Sequence, residues 1–181
     1  MKKKNNYTYH PEDNTCHILI TSKSKHLEII IDDHSLPGIS EHRWSLSNGY
    51  AESWIDSKKV LLHRFLIAKE IPKGMQIDHK NGNKLDNRLD NLRIVTQQQN
   101  RFNSKPNKNR SSIYKGVYQD NRPNRKKKMY AYISHNGIRY SLGSYYTQKD
   151  AAMAYDKEAI KLFGEYANLN FPKDSNIESK L

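Results

Sequence analysis

The sequence predicts an α+β protein in three parts: a small N-terminal β region, a strand–loop–strand–helix unit, and a three-stranded antiparallel sheet packed on one helix. Three observations support this class. Short runs rich in β-branched residues are bounded by polar turn residues. Asn-Gly pairs at 48–49 and 136–137 favour two-residue hairpins. Apolar residues recur at helical spacing after Thr147.

Residues 1–60 are predicted to form small antiparallel β structure. The runs His17–Thr21 and Leu27–Ile31 are β-branched, and a polar segment separates them. Residues 44–51 alternate around the first Asn-Gly pair, which indicates a hairpin. The large aromatic residues of this region are expected to lie in the core: Trp44, Tyr50 and Trp54.

Residues 61–103 carry the strand–loop–strand–helix pattern. Gln76–Asp78 and Leu92–Val95 are predicted strands, and an Asn-rich loop connects them. Thr96 is a favourable N-cap, and no Pro or Gly interrupts the polar residues that follow it. The preceding apolar run, Val60–Lys69, is predicted to enter a helix that packs against this unit.

Three polar residues of this unit suggest metal-assisted hydrolysis. Asp78 and Asn100 both offer side-chain oxygens, and two oxygen ligands with open coordination positions suit a hard divalent ion such as Mg²⁺ or Mn²⁺. His79 follows Asp78 directly and would project to the opposite face of the strand, so it can lie near the ion without binding it. A neutral imidazole is well matched to take a proton from water near pH 7.

Asn91 has two interpretations from the sequence. It is a candidate to hold the second ring nitrogen of His79, which a general base needs. It is equally a candidate to pin the Asn-rich loop through its own side-chain amide. Both interpretations place Asn91 at the centre of the predicted site.

The segment resembles the HNH motif of phage and intron-encoded homing endonucleases, whose fold is the ββα-metal finger. The similarity runs from Leu-His-Arg at 62–64 through IDHKNGNKLDNRLDNLRIVT to the helix that carries Asn100. His63 belongs to the family pattern either as a site residue or as a structural histidine. A zinc-stapled form of the family is excluded, because the chain has one cysteine, Cys16, and no cysteine pairs.

The resemblance implies a role for each matched residue. Asp78 corresponds to the metal ligand at the strand end, and His79 corresponds to the general base. Asn91 corresponds to the central Asn of the motif. Asn100 stands at the last motif position as the second metal ligand, where the homing branch has Asn rather than His.

The charge distribution predicts a polyanionic partner. The chain has 31 basic and 19 acidic side chains, a formal net charge of +12. Residues 101–128 alone hold ten basic side chains and one acidic side chain, whereas residues 1–100 are nearly balanced. A basic linker is predicted at 104–112, between two folded regions, so contact with a DNA backbone is favoured over a merely solvated segment.

Residues 113–172 predict a second module, followed by a tail at 173–181. The helix is expected to open at a capping box, Thr147 to Asp150, and to end at Gly164. Three strands are predicted before it: Tyr114–Tyr118, Met129–Ser134 and Ile138–Gly143. The helix residues expected to face the sheet are Ala152, Tyr155, Ala159 and Leu162.

This module resembles the plant ethylene-response-factor (APETALA-type) DNA-binding domain. The matching pieces are YKGV, the SLGSYYT turn, the helix AAMAYDKEAIKLFGEYA and the Asn170-Phe171-Pro172 ending. The resemblance implies that the sheet lies in a major groove, although Tyr118, Met129 and Ser141 stand where that family has its Arg and Trp readers. The predicted DNA contacts are Lys115, Tyr118, Arg125, Lys126, Lys127, Lys128, Tyr130, Tyr132, Arg139 and Tyr140. Since only one sheet face can meet DNA, some of these tyrosines must be packing residues.

Two classes of function follow from these features. The first is a site-specific DNA endonuclease of the HNH homing type, with double-stranded DNA as partner and Mg²⁺ or Mn²⁺ as cofactor. The second is a DNA-binding transcriptional regulator with an inactive HNH core; an RNA substrate is a weaker third option. The lone cysteine and the absence of a signal peptide or membrane span predict the cytoplasm of a bacterial or phage-infected cell. A monomer or weak dimer without protein partners is expected.

Overall fold

The chain forms two compact units, Met1–Gln97 and Gln98–Leu181, as seen in a computed structural model. The structure describes residues 4–22, 25–67, 71–104, 111–123, 126 and 128–172. Within these ranges, no helix is long and apolar enough to cross a membrane. Antiparallel sheets and a few helices make up both units, which confirms the predicted α+β class.

The first unit contains two three-stranded antiparallel sheets and a two-stranded ribbon. The first sheet has the order β1-β2-β3, with β1 Asn6–His10, β2 Thr15–Ser22 and β3 Lys25–Asp32. The second sheet has the order β4-β5-β6, with β4 Ser45–Ser47, β5 Tyr50–Ile55 and β6 Lys58–Leu61. The ribbon pairs β7 Met75–His79 with β8 Leu92–Thr96.

The described residues of this unit also form two short α-helices, α1 Leu36–Ser40 and α2 Leu62–Leu66. A hydrophobic core is built from the inward faces of β2 and β3, from Trp44 and from Leu62 at the start of α2. The indole N–H of Trp44 donates to the Ile39 carbonyl oxygen at 2.9 Å, so its one polar atom is satisfied inside the core. Burying α2 in this core fixes the position of His63, its second residue.

The second unit is a three-stranded antiparallel sheet with one helix on its face. The strand order is β11-β10-β9, with β9 Val117–Gln119, β10 Met129–His135 and β11 Ile138–Tyr145. The helices are α3 Gln97–Phe102, whose first residue ends the first unit, and α4 Gln148–Phe163. Thr147 accepts a hydrogen bond from the Asp150 backbone N–H at 3.1 Å, so the predicted helix start is confirmed.

Glycine at position 116 explains why the YKGV segment packs against α4. Gly116 has φ +76°, and a Cβ there would lie 1.9 Å from the Tyr155 ring. Only glycine fits this close approach. The segment before β9 is also tied to the end of the unit, because Asn170 Oδ1 accepts from the Lys115 backbone N–H at 2.6 Å. The strand predicted from Tyr114 therefore begins only at Val117. Asn170 is in turn held by the buried carboxylate of Asp156.

The structure differs from the sequence predictions at two places in the first unit. Trp54, expected in the core, is 67% exposed, because it lies opposite Lys59 on the outer face of the β5–β6 hairpin. The apolar run from Val60 gives only the short helix α2, since its first two residues complete β6. Residues 68–70 of that run lie outside the described residues.

Candidate active site

The β7–β8 ribbon places Asp78 directly opposite Arg93. Residues opposite each other in an antiparallel pair share a face, so the two side chains meet. Arg93 donates to Asp78 Oδ2 through Nε at 3.0 Å and through Nη2 at 2.9 Å. Both side chains are nearly buried, with 8% of Asp78 and 11% of Arg93 exposed. The predicted metal ligand is therefore engaged in a buried ion pair.

His79 follows on the other face of β7 and is enclosed by aromatic rings. Its ring lies 5.2 Å from that of His63 and 6.2 Å from that of Tyr50, measured between centroids. The Lys84 Nζ atom lies over the ring of Tyr50, 3.9 Å from its centroid. His79 Nε2 is 3.4 Å from Asn87 Oδ1, and both residues are buried.

Burial favours the neutral form of both histidines. It lowers the pKa of His79, against the opposing effects of the Asn87 hydrogen bond and the Asp78 carboxylate. Burial, the neighbouring His79 and Arg64 lower the pKa of His63 to about 4. Two uncharged imidazoles therefore lie side by side near pH 7.

Asn91 pins the loop rather than the imidazole. Its Oδ1 accepts from the Asn81 backbone N–H at 3.0 Å, and its Nδ2 donates to Asn81 Oδ1 at 3.0 Å. Nδ2 also donates to the Asp86 carbonyl oxygen at 2.7 Å, and the Asn91 carbonyl accepts from Lys80 N–H at 2.8 Å. Of the two interpretations from the sequence, these bonds match loop fixation, and Asn87 is the asparagine that contacts His79.

The loop is also attached to the N-terminal sheet. Ile30 in β3 donates its N–H to the Leu85 carbonyl at 2.8 Å and accepts from the Asn87 N–H at 2.7 Å. Asp32 accepts from the Leu89 N–H at 2.7 Å. These bonds hold the backbone on both sides of Asn87, so the N-terminal sheet positions the residue that contacts His79.

Asp86 forms a second carboxylate–guanidinium pair in the same loop. Arg88 donates to it through Nε at 2.8 Å and Nη2 at 2.7 Å. Burial opposes ionisation of Asp86, but the hydrogen bonds and charge of Arg88 hold its pKa below the ordinary value. In this pair the carboxylate is buried while 41% of the Arg88 side chain is exposed.

Asn100 lies in α3, which follows β8 directly. The end of this helix is held by Lys115, which donates to the Phe102 carbonyl at 2.5 Å, and by Asn168, which donates to the Asn103 carbonyl at 2.8 Å. The structure thus brings Asp78, His79 and Asn91 together around the β7–β8 ribbon, and Asn100 follows in α3.

The residues present fit a hard divalent ion by the chemistry of their donors. Asp78 supplies a carboxylate, which is a hard oxygen donor. Within the described part of the chain, no three His, Cys, Asp or Glu residues cluster as a metal site. Few protein ligands suit Mg²⁺ or Mn²⁺, which keep waters and take substrate phosphate.

The open face of the second unit's sheet carries several of the predicted DNA contacts. Ala131 and Ile133 of β10 are buried beneath α4, so the alternate residues Tyr130 and Tyr132 point away from the helix. Tyr118 lies opposite Tyr130 and shares its face. The rings of the two β10 tyrosines are 6.3 Å apart and nearly parallel.

Arg139 joins this face from β11. It lies opposite Ser134, and its guanidinium carbon is 3.9 Å from the centroid of the Tyr132 ring. Tyr140 lies opposite the buried Ile133 and is therefore on the helix-bearing side, although 47% of it is exposed. The open face is thus aromatic and basic, and Tyr140 is not part of it.

The remaining predicted DNA contacts are placed as follows. Lys115 is partly buried, and its ammonium binds the Phe102 carbonyl. Lys126 and Lys128 are exposed before β10. Arg125 and Lys127 lie outside the described residues.

Sequence reasoning missed two residues at the candidate site, Arg93 and Asn87. Arg93 could have been found by aligning the two predicted strands, because Asp78 and Arg93 then fall on one face. Asn87 had a weaker signal, since it is one of several polar residues in the loop and its burial depends on β3, far away in sequence.

The chain is similar to known proteins over the region that contains this site. A family model described as HNH endonuclease matches residues 60–102. An uncharacterized HNH endonuclease of Acanthamoeba polyphaga mimivirus is 34% identical over 163 residues, covering 87% of this chain and 82% of that protein. No solved structure shows significant similarity to the chain.

Two shorter similarities accompany these matches. A prophage-derived protein of Bacillus subtilis, named as a candidate HNH homing endonuclease, is 45% identical over 56 residues, 29% of this chain and 32% of that protein. Dehydration-responsive element-binding protein 2E of Arabidopsis thaliana is 44% identical over 48 residues, 23% of this chain and 20% of that protein. Because the viral relative is matched over most of both chains and the family model matches the region of the site, the chain belongs to the HNH endonucleases and is a DNA-cleaving enzyme.

Proposed function

We propose that the chain is a site-specific DNA endonuclease of the homing type that requires Mg²⁺ or Mn²⁺ and uses His79 as general base. The observation that carries this proposal is the environment of His79. It is a buried imidazole next to Asp78, enclosed by His63 and Tyr50, with a pKa lowered by burial. A base that stays neutral near pH 7 is ready to accept a proton from water.

The contact with Asn87 supports a fixed orientation of the imidazole. Asn87 Oδ1 lies 3.4 Å from His79 Nε2, within the buried part of the loop. An imidazole held in this way can take a proton from the attacking water with little loss of orientation. Asn91 and the N-terminal sheet act indirectly, because they hold the loop that positions Asn87.

Asp78 and Asn100 are the residues proposed to hold the divalent ion. Both offer hard oxygen donors, and HNH nucleases typically use divalent ions. When bound, such an ion supplies Lewis-acid stabilisation of the negative charge that develops on the leaving oxygen. The role of Asn100 rests on its place in the motif, nine residues after Asn91.

The second unit is proposed to dock double-stranded DNA as an ethylene-response-factor-like domain. Support comes from the three-stranded sheet with one helix behind it, from the tyrosine and arginine side chains on its open face, and from the short similarity to a protein named for binding a DNA element. Phosphate contacts by exposed basic residues would set the position, and base contacts would set the preference. The relatives from a virus and a prophage fit action in the cytoplasm of an infected cell.

A cleavage assay on a DNA library tests the metal-dependent part of this proposal. Sequencing the cut ends would report one preferred site if the enzyme is site-specific. Cleavage should need added Mg²⁺ or Mn²⁺, and it should be lost in the Asp78→Ala and Asn100→Ala variants. The matched control is Asp90→Ala, an exposed carboxylate in the same loop, which should cut normally. Full activity in excess chelator would contradict the proposal.

A further inference from the structure

The ion pair between Asp78 and Arg93 sets a condition on any cation that binds there. The guanidinium makes two hydrogen bonds to one carboxylate oxygen, and both partners are nearly withdrawn from water. Charge-assisted pairs of this kind are strong in a low-dielectric setting. A divalent ion that uses Asp78 therefore meets a neutral pair rather than a bare carboxylate.

We propose that Arg93 competes with the divalent ion for Asp78, so that the ion binds weakly to the free protein and tightly once DNA supplies a phosphate. This inference rests on the proposed role of Asp78 as a metal ligand. It assigns to Arg93 a positioning and regulatory role that the motif does not contain.

Charge balance is the physical reason for the coupling. Arg93 and a divalent ion repel each other when both are close to one carboxylate, and the repulsion is strong where water is excluded. A DNA phosphate adds negative charge and offers a second acceptor to the guanidinium, which binds phosphate oxygens well. Arg93 and the divalent ion are then balanced by two anions, Asp78 and the phosphate. Bound metal therefore raises the affinity of the protein for DNA, and bound DNA raises its affinity for the metal.

The nearby pair of Asp86 and Arg88 supplies a matched comparison. It has the same two groups at similar distances, and it lies in the same unit. Asp86 is fixed by Asn81 as well as by Arg88, and it is outside the predicted ligand set. Removing the charge of Arg88 should therefore leave metal binding unchanged.

Manganese binding to the DNA-free, full-length protein tests the competition. Free Mn²⁺ is measured by electron paramagnetic resonance for wild type, Arg93→Gln, Arg93→Lys and Arg88→Gln. Arg93→Gln should bind Mn²⁺ at least about tenfold more tightly than wild type. Arg93→Lys, which keeps the charge, should resemble wild type, and Arg88→Gln should too. A purely structural role for Arg93 predicts no gain in Mn²⁺ affinity from Arg93→Gln.

Asp78→Asn separates failure of this inference from failure of the proposed function. If Arg93→Gln gives no gain while Asp78→Asn still weakens Mn²⁺ binding, the competition is wrong and the ligand assignment stands. Asp78→Asn is made in the wild-type protein and in Arg93→Gln. If it leaves Mn²⁺ affinity unchanged in both, Asp78 is not a ligand, and both the competition and the proposed metal site are wrong. A gain from Arg88→Gln equal to that from Arg93→Gln would also overturn the inference.

A measurement on the wild-type protein guards against variants that do not fold. The Nε–H signals of arginine side chains are followed by NMR during Mg²⁺ titration, with and without a DNA duplex. Arg93 should respond, and at lower Mg²⁺ when DNA is present, while the signal of Arg88 should stay in place. An unresponsive Arg93 signal in a protein that binds Mg²⁺ would overturn the proposal.

Discussion

The two compact units arrange their polar side chains in opposite ways. In the first unit, the site residues Asp78, His79 and Asn91 are buried and bonded to the protein itself. In the second, the exposed side chains of Tyr118 and Arg139 lie on the sheet face opposite to α4. A buried site can hold groups in fixed orientation for chemistry, whereas an exposed face can meet a large partner. Substitutions in the two units should therefore have separable effects.

The largest difference between the effect on cleavage and the effect on DNA binding is expected from His79→Ala. Loss of a general base should slow cleavage by about 10²–10⁴-fold, while DNA affinity stays near that of wild type. Single-turnover cleavage and gel-shift affinity on the same duplex measure the two effects. His34→Ala is the control, because His34 is an exposed histidine of the same unit. Near-normal cleavage by His79→Ala would show that another group is the base.

A second large effect is expected from Asn91→Ala, this time on stability. The substitution removes the bonds to Asn81 and the buried bond to the Asp86 carbonyl oxygen. We expect a loss of about 2–4 kcal/mol in the free energy of unfolding, measured by urea denaturation. Asn83→Ala, in an exposed part of the same loop, should cost much less.

Asn91 also distinguishes the two interpretations that the sequence left open. If the residue acts by fixing the loop, cleavage should recover partly under conditions that stabilise the fold, such as added sulfate. A variant with wild-type stability and no cleavage would instead indicate direct action on His79. That outcome would contradict the loop-fixing role seen in the hydrogen bonds.

The parts of the fold that were predictable from sequence depend on local chemistry. Both Asn-Gly pairs form hairpin turns, because Asn48 and Asn136 adopt φ near +51°, which such turns require. The α4 start was predictable for the same reason, since its cap lies within four residues. The strands of the ribbon were found within one residue at each end.

The parts that were missed depend on contacts between distant segments. The bonds of Ile30 to Leu85 and Asn87 join positions more than fifty residues apart, and no local pattern encodes them. Trp54 was misplaced because its hydrophobicity suggested burial, whereas strand alternation turns it to the outer face. At the site, residue types were predictable from the motif, but the partner of each side chain was not.

A pH-dependent loss of stability is expected from the buried His63. Its pKa is about 4 in the folded protein, against an ordinary value of 6.5, so the unfolded chain binds an additional proton between these values. The stabilisation is complete above about pH 6.5 and declines as the pH falls toward 4. At most about 3 kcal/mol is lost through this residue. Urea unfolding from pH 7 to 4 should show a shallower decline for His63→Phe than for wild type.

Exposed His34 again supplies the control for this pH series. The stability of His34→Gln should decline as that of wild type does, because 67% of the His34 side chain is exposed. If His63→Phe and wild type lose stability in parallel, the acid sensitivity arises elsewhere. The prediction concerns stability. It would also be contradicted if His63→Phe changed DNA affinity but left the pH dependence of unfolding as in wild type.

The smallest effects, and the sharpest test of the open face, come from single substitutions in the second unit. Lys126 and Lys128 are exposed and are replaced by Gln one at a time. Each replacement that removes a phosphate contact should reduce the magnitude of the slope of log affinity against log salt by about 0.9. Sequence preference should stay the same, because phosphate contacts carry no direct sequence information. Arg139→Gln should change preference instead, since Arg139 lies on the open face beside Tyr132 and can reach a base edge.

Tyr132 and Tyr140 are a matched pair for this test, because they lie in neighbouring strands but on opposite faces of the sheet. Tyr132 is on the open face, and Tyr140 is on the helix-bearing side. Tyr132→Ala should lower affinity for the preferred site by about 1–3 kcal/mol, and Tyr140→Ala should have little effect. Affinity is measured across a salt series on preferred and scrambled duplexes, for all variants at one temperature. If Tyr140→Ala has the larger effect, DNA meets the helix-bearing side. The open face would then serve another purpose, and the proposed docking mode would be wrong.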